Sequence, residues 1–171
     1  ALHIATAAPA MAPVLVCGEP GTGKELAARM LHALSGRAEG PFLAIDCRGL
    51  APEAVETALF SATGALYAAE ETTLYLSDLP ALPLSLQHRL WSVLNPAEPG
   101  QATGTRRRAA GPVRLVAGCP TEPEAALRQG AFDPRLFHLL DTLRIDLPPL
   151  RARGDDIGLL AEFFANRAAQ E

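Results

Sequence analysis

The chain has 171 residues, 49% hydrophobic and 20% charged, which supplies a sizeable core for one compact domain and argues against disorder. A formal net charge of -4 gives this segment no electrostatic reason to bind nucleic acid. Cys17, Cys47 and Cys119 lie far apart with no CxxC pair, a pattern that fits a reducing cytoplasm better than a disulfide framework or a zinc site.

No apolar run approaches the roughly 20 residues of a membrane span, and no signal peptide is visible. The chain opens on Ala1 rather than a methionine and reads as a piece of something longer. Pro13 to Cys17 is a short buried-strand pattern that runs straight into the glycine-rich stretch Gly18–Gly23. Leu26, Met30, Leu31 and Leu34 then repeat at helical spacing, and Gly36 is the expected stop. Phe42 to Ile45 reads as a second strand. Pro52 suits the first turn of a helix whose stripe is Val55 and Leu59. Leu74–Leu76 is a third strand, followed by a helix carrying Leu86, Leu90, Val93 and Leu94 on one face. Asn95 to Gly111 is rich in Pro, Gly and Arg and reads as a loop. Val113 to Ala117 is a fourth strand and Thr142 to Leu147 a fifth. A last helix starts near Asp155 and Asp156, whose charges suit a helix N-terminus, and buries Ile157, Leu160 and Phe164. There are no internal repeats. This alternation predicts an α/β fold with a parallel sheet covered on both faces.

One motif is chemically specific: Gly18-Glu19-Pro20-Gly21-Thr22-Gly23-Lys24-Glu25. Phosphate binding needs backbone N–H groups turned inward around an anion, and glycines allow the close approach. The following helix adds its positive N-terminal end, and a lysine reaches the outer phosphates. A strand precedes this loop and a helix follows it, as a phosphate loop requires. The residue after the lysine, usually a Ser or Thr that ligates magnesium, is Glu25.

That form of the loop resembles the central AAA+ domain of bacterial sigma-54-dependent (NtrC-like) transcription activators, and the likeness continues along the chain. His32-Ala33-Leu34-Ser35-Gly36, Arg37 and Pro41-Phe42 resemble the family's passage from first helix to second strand. Cys47 sits where the family carries an Asn-Cys pair, and Ala58-Leu59-Phe60 is similar to its Glu-Leu-Phe-Gly. Leu82-Pro83-Leu84 with Gln87 and Leu90 resembles the helix after the second acidic motif. Gly130, Phe132 and Leu147-Pro148-Pro149-Leu150-Arg151, with Arg153, Asp156 and Ile157, resemble the C-terminal signature. The resemblance implies a P-loop NTPase three-layer sandwich with a five-stranded parallel sheet in the order 5-1-4-3-2. It divides the chain into an α/β nucleotide-binding subdomain over 1–153 and the start of a helical lid over 154–171. It implies ATP or ADP as ligand, held by Gly18, Glu19, Pro20, Gly21, Thr22, Gly23, Lys24 and Glu25. It also implies a regulatory, two-component setting, other copies of the chain as partners, and DNA contact only through domains outside this segment.

Several positions depart from the family pattern. Active members carry a Gly-Ala-Phe-Thr-Gly-Ala surface loop that grips the sigma factor. Here only Ser61-Ala62-Thr63-Gly64-Ala65 separates Phe60 from Leu66, a shortening of about a dozen residues, which loop-closure energetics tolerate. So short a stub weighs against direct remodelling of the sigma factor and its RNA polymerase. The family's Asp-Glu, which holds magnesium and polarises water, reads Ser77-Asp78. Ser77 removes a charged oxygen ligand from a hard cation, leaving Asp78 as the candidate magnesium ligand and catalytic carboxylate. Asp78 reaches about one methylene less far than Glu, and a misplacement near ~1 Å can lower a rate on the order of 100-fold. Asp46 replaces an Asn that positions the catalytic Glu, and Pro120 stands where a polar sensor is expected. Asp133 and Leu139 occupy the places of trans-acting arginines, groups worth roughly 1,000-fold in rate. Arg135 is near in sequence, but helical geometry turns it to another face. The expectation is therefore nucleotide binding with weak or absent hydrolysis and weakly held magnesium.

Other features have plainer readings. Arg106-Arg107-Arg108 is solvated loop surface, and His3, His32, His88 and His138 show no metal spacing with the cysteines. Trp91, Phe163 and Phe164 are expected to pack in helices. Arg151 and Arg153 face either the nucleotide base or a neighbouring subunit, and the sequence leaves both open. Three alternatives also stand: an active sigma-54-remodelling ATPase, a small-acceptor P-loop kinase, and an interaction module without nucleotide.

Overall fold

The computed structural model of the chain describes residues 2–67, 71–95 and 113–153. The expected loop beyond Asn95 with Arg106–Arg108, and the expected lid helix with Ile157, Leu160, Phe163 and Phe164, lie outside the described residues.

Five strands form one parallel sheet: β1 Val14–Cys17, β2 Phe42–Asp46, β3 Thr73–Ser77, β4 Arg114–Cys119 and β5 Leu143–Asp146, in the spatial order β2-β3-β4-β1-β5. Read from the other edge this is 5-1-4-3-2, as expected. Strands β1 and β4 are buried at every residue, because each lies between two neighbours with helices on both faces. Their alternating side chains feed two cores. Leu15, Cys17, Leu74, Leu76, Leu115 and Ala117 point to one face, against α3 (Pro52–Phe60), α4 (Leu84–Leu94) and α6 (Pro134–Leu140). Val14, Val16, Tyr75 and Val116 point to the other, against α1 (Leu2–Ala7) and α2 (Lys24–Ala33). A sixth helix, α5 (Pro123–Arg128), follows β4. Burying each Leu, Val or Phe in these layers contributes roughly 1.5–3 kcal/mol.

The helix after the phosphate loop is present, but its buried face differs from the expected stripe. It buries Ala27, Ala28, Leu31 and His32, whereas Leu26, Met30 and Leu34 are 47%, 40% and 56% exposed. Two adjacent alanines let the helix axis approach the sheet closely, and that approach carries the larger leucines and methionine outward. The helix also ends at Ala33, before Gly36.

One buried cation fixes the α1–α2 side. Arg114, 1% exposed at the start of β4, donates from Nη1 to the Ala8 and Leu31 carbonyls at 2.7 and 3.2 Å, and from Nη2 to the Ala7 carbonyl at 2.9 Å. Those carbonyls lie at the C-terminal end of α1, just beyond it and in the last turn of α2, where helix carbonyls run out of intrahelical donors; that of Ala7 also accepts the Ala10 N–H at 3.2 Å. No described helix is long and apolar enough to cross a membrane.

Candidate functional site

In a parallel sheet every strand ends at the same edge, and that edge is where α/β folds bind ligands. Here β1, β4 and β3 are consecutive neighbours, so the turns after Cys17, Cys119 and Ser77 lie side by side. The Gly18 N–H donates to the Cys119 carbonyl at 3.2 Å, and the Leu147 N–H donates to the Cys17 carbonyl at 2.8 Å, so the base of the loop is held from both flanking strands. A Cβ on Gly18 would stand 2.6 Å from Thr22 Oγ1 and 3.2 Å from Leu147 Cβ.

The loop then turns tightly. Thr22 donates to the Glu19 carbonyl from its backbone N–H at 3.3 Å and from its hydroxyl at 2.8 Å. Gly21 and Gly23 have φ of 80° and 89°, left-handed conformations that side chains resist, and Gly23 directly precedes α2. The first N–H groups of α2 have no partner within the helix and carry its positive end. Lys24 folds back over the turn, its Nζ 2.8 Å from the Gly18 carbonyl and 3.0 Å from that of Glu19. The result is a tight glycine turn at a helix start with one ammonium folded over it, an arrangement suited to a polyphosphate. Pro20 is exposed on the outer turn, and Glu25 lies along α2 on Arg29 at 2.8 Å.

The acidic positions sit one strand further on. Ser77 ends β3 in register with Asp46 of β2, and its hydroxyl donates to Asp46 Oδ1 at 3.1 Å. The N–H groups of Arg48 and Gly49, helped by Ser77, hold the Asp46 carboxyl below its usual range. Asp78 adopts a left-handed backbone, φ 48° and ψ 48°, and its Oδ2 lies 3.6 Å from Arg48 Nε. Burial pushes the Cys119 thiol up, Cys17 and Asp78 raise it further, and Lys24 lowers it. Among the described residues no cluster of three or more His, Cys, Asp or Glu forms a metal cage. At the end of β3 the candidate magnesium oxygens are the Ser77 hydroxyl and the Asp78 carboxylate, with the Asp46 carboxylate beside Ser77.

Asp133 and its neighbours form a separate polar group on α4 and α6. Asp133 caps α6, its Oδ1 accepting the Arg135 and Leu136 N–H groups at 2.7 and 3.1 Å. Its Oδ2 receives Arg135 Nη2 at 3.3 Å and His88 Nε2 at 2.6 Å. Gln87, also buried, accepts the Asp133 N–H and donates to the Leu82 and Ala131 carbonyls. Arg135 also lies over the Trp91 ring at 4.5 Å. Leu139 is half-buried and Pro120 is exposed beyond β4.

Two contacts had no signal in the sequence. Arg151 Nη1 and Nη2 meet Glu19 Oε2 and Oε1 at 2.8 and 2.7 Å, a paired bridge that holds the Glu19 carboxyl below its usual range. Arg153 Nη2 donates to the Thr22 carbonyl at 3.2 Å. Both arginines thus grip the phosphate loop across the α/β body. By contrast the Asp133-Pro134 pair is a readable helix start, a cap residue followed by proline at the first helical position.

Comparison with known proteins agrees with this architecture. A family model described as the sigma-54 interaction domain matches residues 2–146. The sigma54-dependent transcriptional activator SfnR of Pseudomonas putida is 39% identical over 174 residues, covering 95% of this chain and 47% of that protein. The regulatory protein AtoC of Escherichia coli is 35% identical over 195 residues, covering 99% of this chain and 42% of that protein. The crystal structure of Brucella abortus NtrX in complex with ATP superposes with a TM-score of 0.85 at 32% identity, covering 98% of this chain and 40% of NtrX, and the complex with ADP does so equally well. The P-loop NTPase domain of an E. coli sigma-54 activator gives a TM-score of 0.62 at 23% identity over 87% of this chain and 92% of that domain, a likeness of fold alone. The chain spans less than half the length of the SfnR, AtoC and NtrX proteins it matches. With the family model covering most of its length and full-span relatives above 30% identity, this chain belongs to the sigma-54 interaction domain family, with the P-loop NTPase fold of the AAA+ proteins.

Proposed function

We propose that this domain binds ATP or ADP in the loop Gly18–Glu25, hydrolyses ATP weakly or not at all, and serves a bacterial transcription regulator as a nucleotide-responsive or assembly module. The observation that carries the reading is the loop itself: two left-handed glycines, the start of α2 and the Lys24 ammonium lie together in one tight turn. The NtrX structures with ATP and with ADP support the choice of ligand.

Impaired hydrolysis rests on the chemistry around that loop. Ser77 offers magnesium a neutral oxygen, and Asp78 is short and faces Arg48. Asp133 is spent on capping α6, and Arg135 is held by Asp133 and Trp91 rather than projecting as a free guanidinium. Asp78 would supply a charged oxygen to magnesium, and without a second acidic residue at Ser77 the ion would be weakly held. The segment after α3 argues against gripping a sigma factor. Gly64 donates to the Ser61 carbonyl, Tyr67 donates to that of Gly64, and Ala65 and Leu66 are buried against the body. Partners are other copies of the chain, with DNA reached through regions outside this domain, and the setting is cytoplasmic.

Calorimetry with ATP and ADP, with and without magnesium, run beside a phosphate-release assay, tests the reading. Micromolar-range binding with negligible turnover is expected. Turnover comparable to active relatives would establish an active ATPase instead, and absence of binding to either nucleotide would leave an interaction module.

A further inference from the structure

The phosphate loop carries an apparent contradiction. Glu19 places a carboxylate in the same turn whose amides and Lys24 are arranged for a polyanion, and like charges at that range repel. The structure shows how the conflict is relieved. Arg151 stands in a 3-10 turn, Leu150–Ala152, that follows β5 and the Pro148-Pro149 pair. Its two terminal nitrogens meet the two oxygens of Glu19 at 2.8 and 2.7 Å, the parallel fork geometry that makes Arg–carboxylate pairs strong. Arg153 adds a second tie, from Nη2 to the Thr22 carbonyl at 3.2 Å, while its Nε stays on the Pro148 carbonyl at 2.9 Å. Glu19 is therefore the hub of the loop: its carboxylate is fixed by Arg151, and its carbonyl is shared by Lys24 and Thr22.

We propose that Arg151 is a positioning residue for nucleotide binding, which neutralises Glu19 and turns its carboxylate away from the phosphates. The proposal rests on the reading of Gly18–Glu25 as a nucleotide site. It explains how a loop with an acidic second residue tolerates ATP, and it assigns Arg151 to the phosphate loop rather than to the base or a neighbouring subunit. Because the role is electrostatic, it scales with ligand charge. Loss of Arg151 disfavours ATP more than ADP, and removing the Glu19 charge as well relieves most of the effect.

The test is calorimetric titration of ATP and of ADP into the chain and three variants at low and high salt, with thermal unfolding as the check on folding. Arg151→Ala is expected to weaken ATP about fivefold and ADP about twofold, both effects shrinking as salt rises. The double variant Arg151→Ala with Glu19→Gln should recover ATP affinity to within about twofold of the original chain. Arg151→Lys, which keeps the charge and loses the fork, should fall between the original and Arg151→Ala. An Arg151→Ala chain that binds ATP unchanged overturns the proposal. So does equal weakening of ATP and ADP without rescue by Glu19→Gln, which would make Arg151 only a brace. If the unsubstituted chain binds neither nucleotide, the site reading itself fails, and that result is in hand before any variant is compared.

Discussion

His88 Nε2 lies 2.6 Å from Oδ2 of Asp133, a carboxylate 1% exposed, so an imidazole half in solvent closes a buried polar knot between α4 and α6. Burial by itself pushes the Asp133 carboxyl up. The N–H of Leu136, the Arg135 guanidinium and the Arg135 N–H outweigh it, and the net direction is down. A carboxyl depressed in the folded state stabilises the fold above its unfolded pKa, about 3.9, and loses that stabilisation as pH falls through the lower folded value. Asp133→Asn keeps a capping oxygen and loses the charge. It should cost about 1 kcal/mol at pH 7, with the gap to the unsubstituted chain closing below about pH 4. Asp133→Ala, which also removes the cap, should cost about 2 kcal/mol or more at pH 7. Urea unfolding across that pH range reads both effects, and a gap that widens on acidification would contradict the assignment.

Lys24→Ala separates ligand binding from folding. Among the described residues the Lys24 ammonium donates only to two carbonyls of its own loop, so the fold should lose less than about 1 kcal/mol. Affinity for ATP should fall at least about tenfold, because the ammonium folded over the glycine turn is lost. A thermal unfolding curve and an ATP titration on the same sample check the two halves. Unchanged ATP affinity would remove the nucleotide from this loop.

How much of this was readable beforehand depended on sequence distance. The strand, glycine loop and helix around Lys24 are contiguous, and local pattern placed them. The order of the five strands came from family resemblance, since parallel pairing such as Asp46 beside Ser77 leaves no local signature. Periodicity misjudged α2, where Leu26, Met30 and Leu34 looked like the core stripe. The small Ala27 and Ala28 take the sheet-facing side, and hydrophobic spacing is blind to how closely a helix must approach. The short helices α1 and α5 lack enough turns to show a period. The Arg151–Glu19 bridge joins residues 132 apart, and only the folded sheet reveals it.

Installing an acidic pair at the end of β3 tests the proposed weakness of hydrolysis. Ser77→Asp together with Asp78→Glu returns a charged magnesium ligand and the missing methylene at the end of β3. Phosphate release should rise at least about tenfold over the unsubstituted chain. It should stay well below that of an active enzyme, because Asp133 and Leu139 still lack guanidinium groups. Because the Ser77 hydroxyl already donates to Asp46 Oδ1, adding Asp46→Asn should raise release further by removing the adjacent like charge. No gain in any of these chains would place the block elsewhere.

The three thiols should be inert in the folded chain. Cys17, Cys47 and Cys119 are buried, and burial pushes the Cys17 and Cys47 thiols up to about 12. Reaction requires thiolate, so alkylation at pH 8 should be slow and should accelerate sharply in denaturant. Mass spectrometry of timed alkylation reads this directly. Rapid labelling without denaturant would show that the ends of β1 and β4, at Cys17 and Cys119, or of β2, before Cys47, open in solution.

Arg114 offers the sharpest stability test, because its charge is buried among carbonyls with no carboxylate in the contact set. Its two terminal nitrogens serve the Ala7, Ala8 and Leu31 carbonyls, while its Nε has no partner. Arg114→Met fills similar volume with an apolar chain, so packing is largely kept; the Ala8 and Leu31 carbonyls lose the Arg114 donor, while the Ala7 carbonyl keeps the Ala10 N–H. Each abandoned buried carbonyl costs on the order of 1 kcal/mol or more, and the burial of a charge is simultaneously relieved. The net destabilisation should be about 2–3 kcal/mol, visible as a lower urea midpoint with an unchanged slope. Hydrogen exchange should localise it: amides of α1 should lose protection first, since two of the three bonds hold the end of that helix and α1 has only six residues of its own. Equal loss of protection across β1 and β4 would instead mean that Arg114 supports the sheet as a whole.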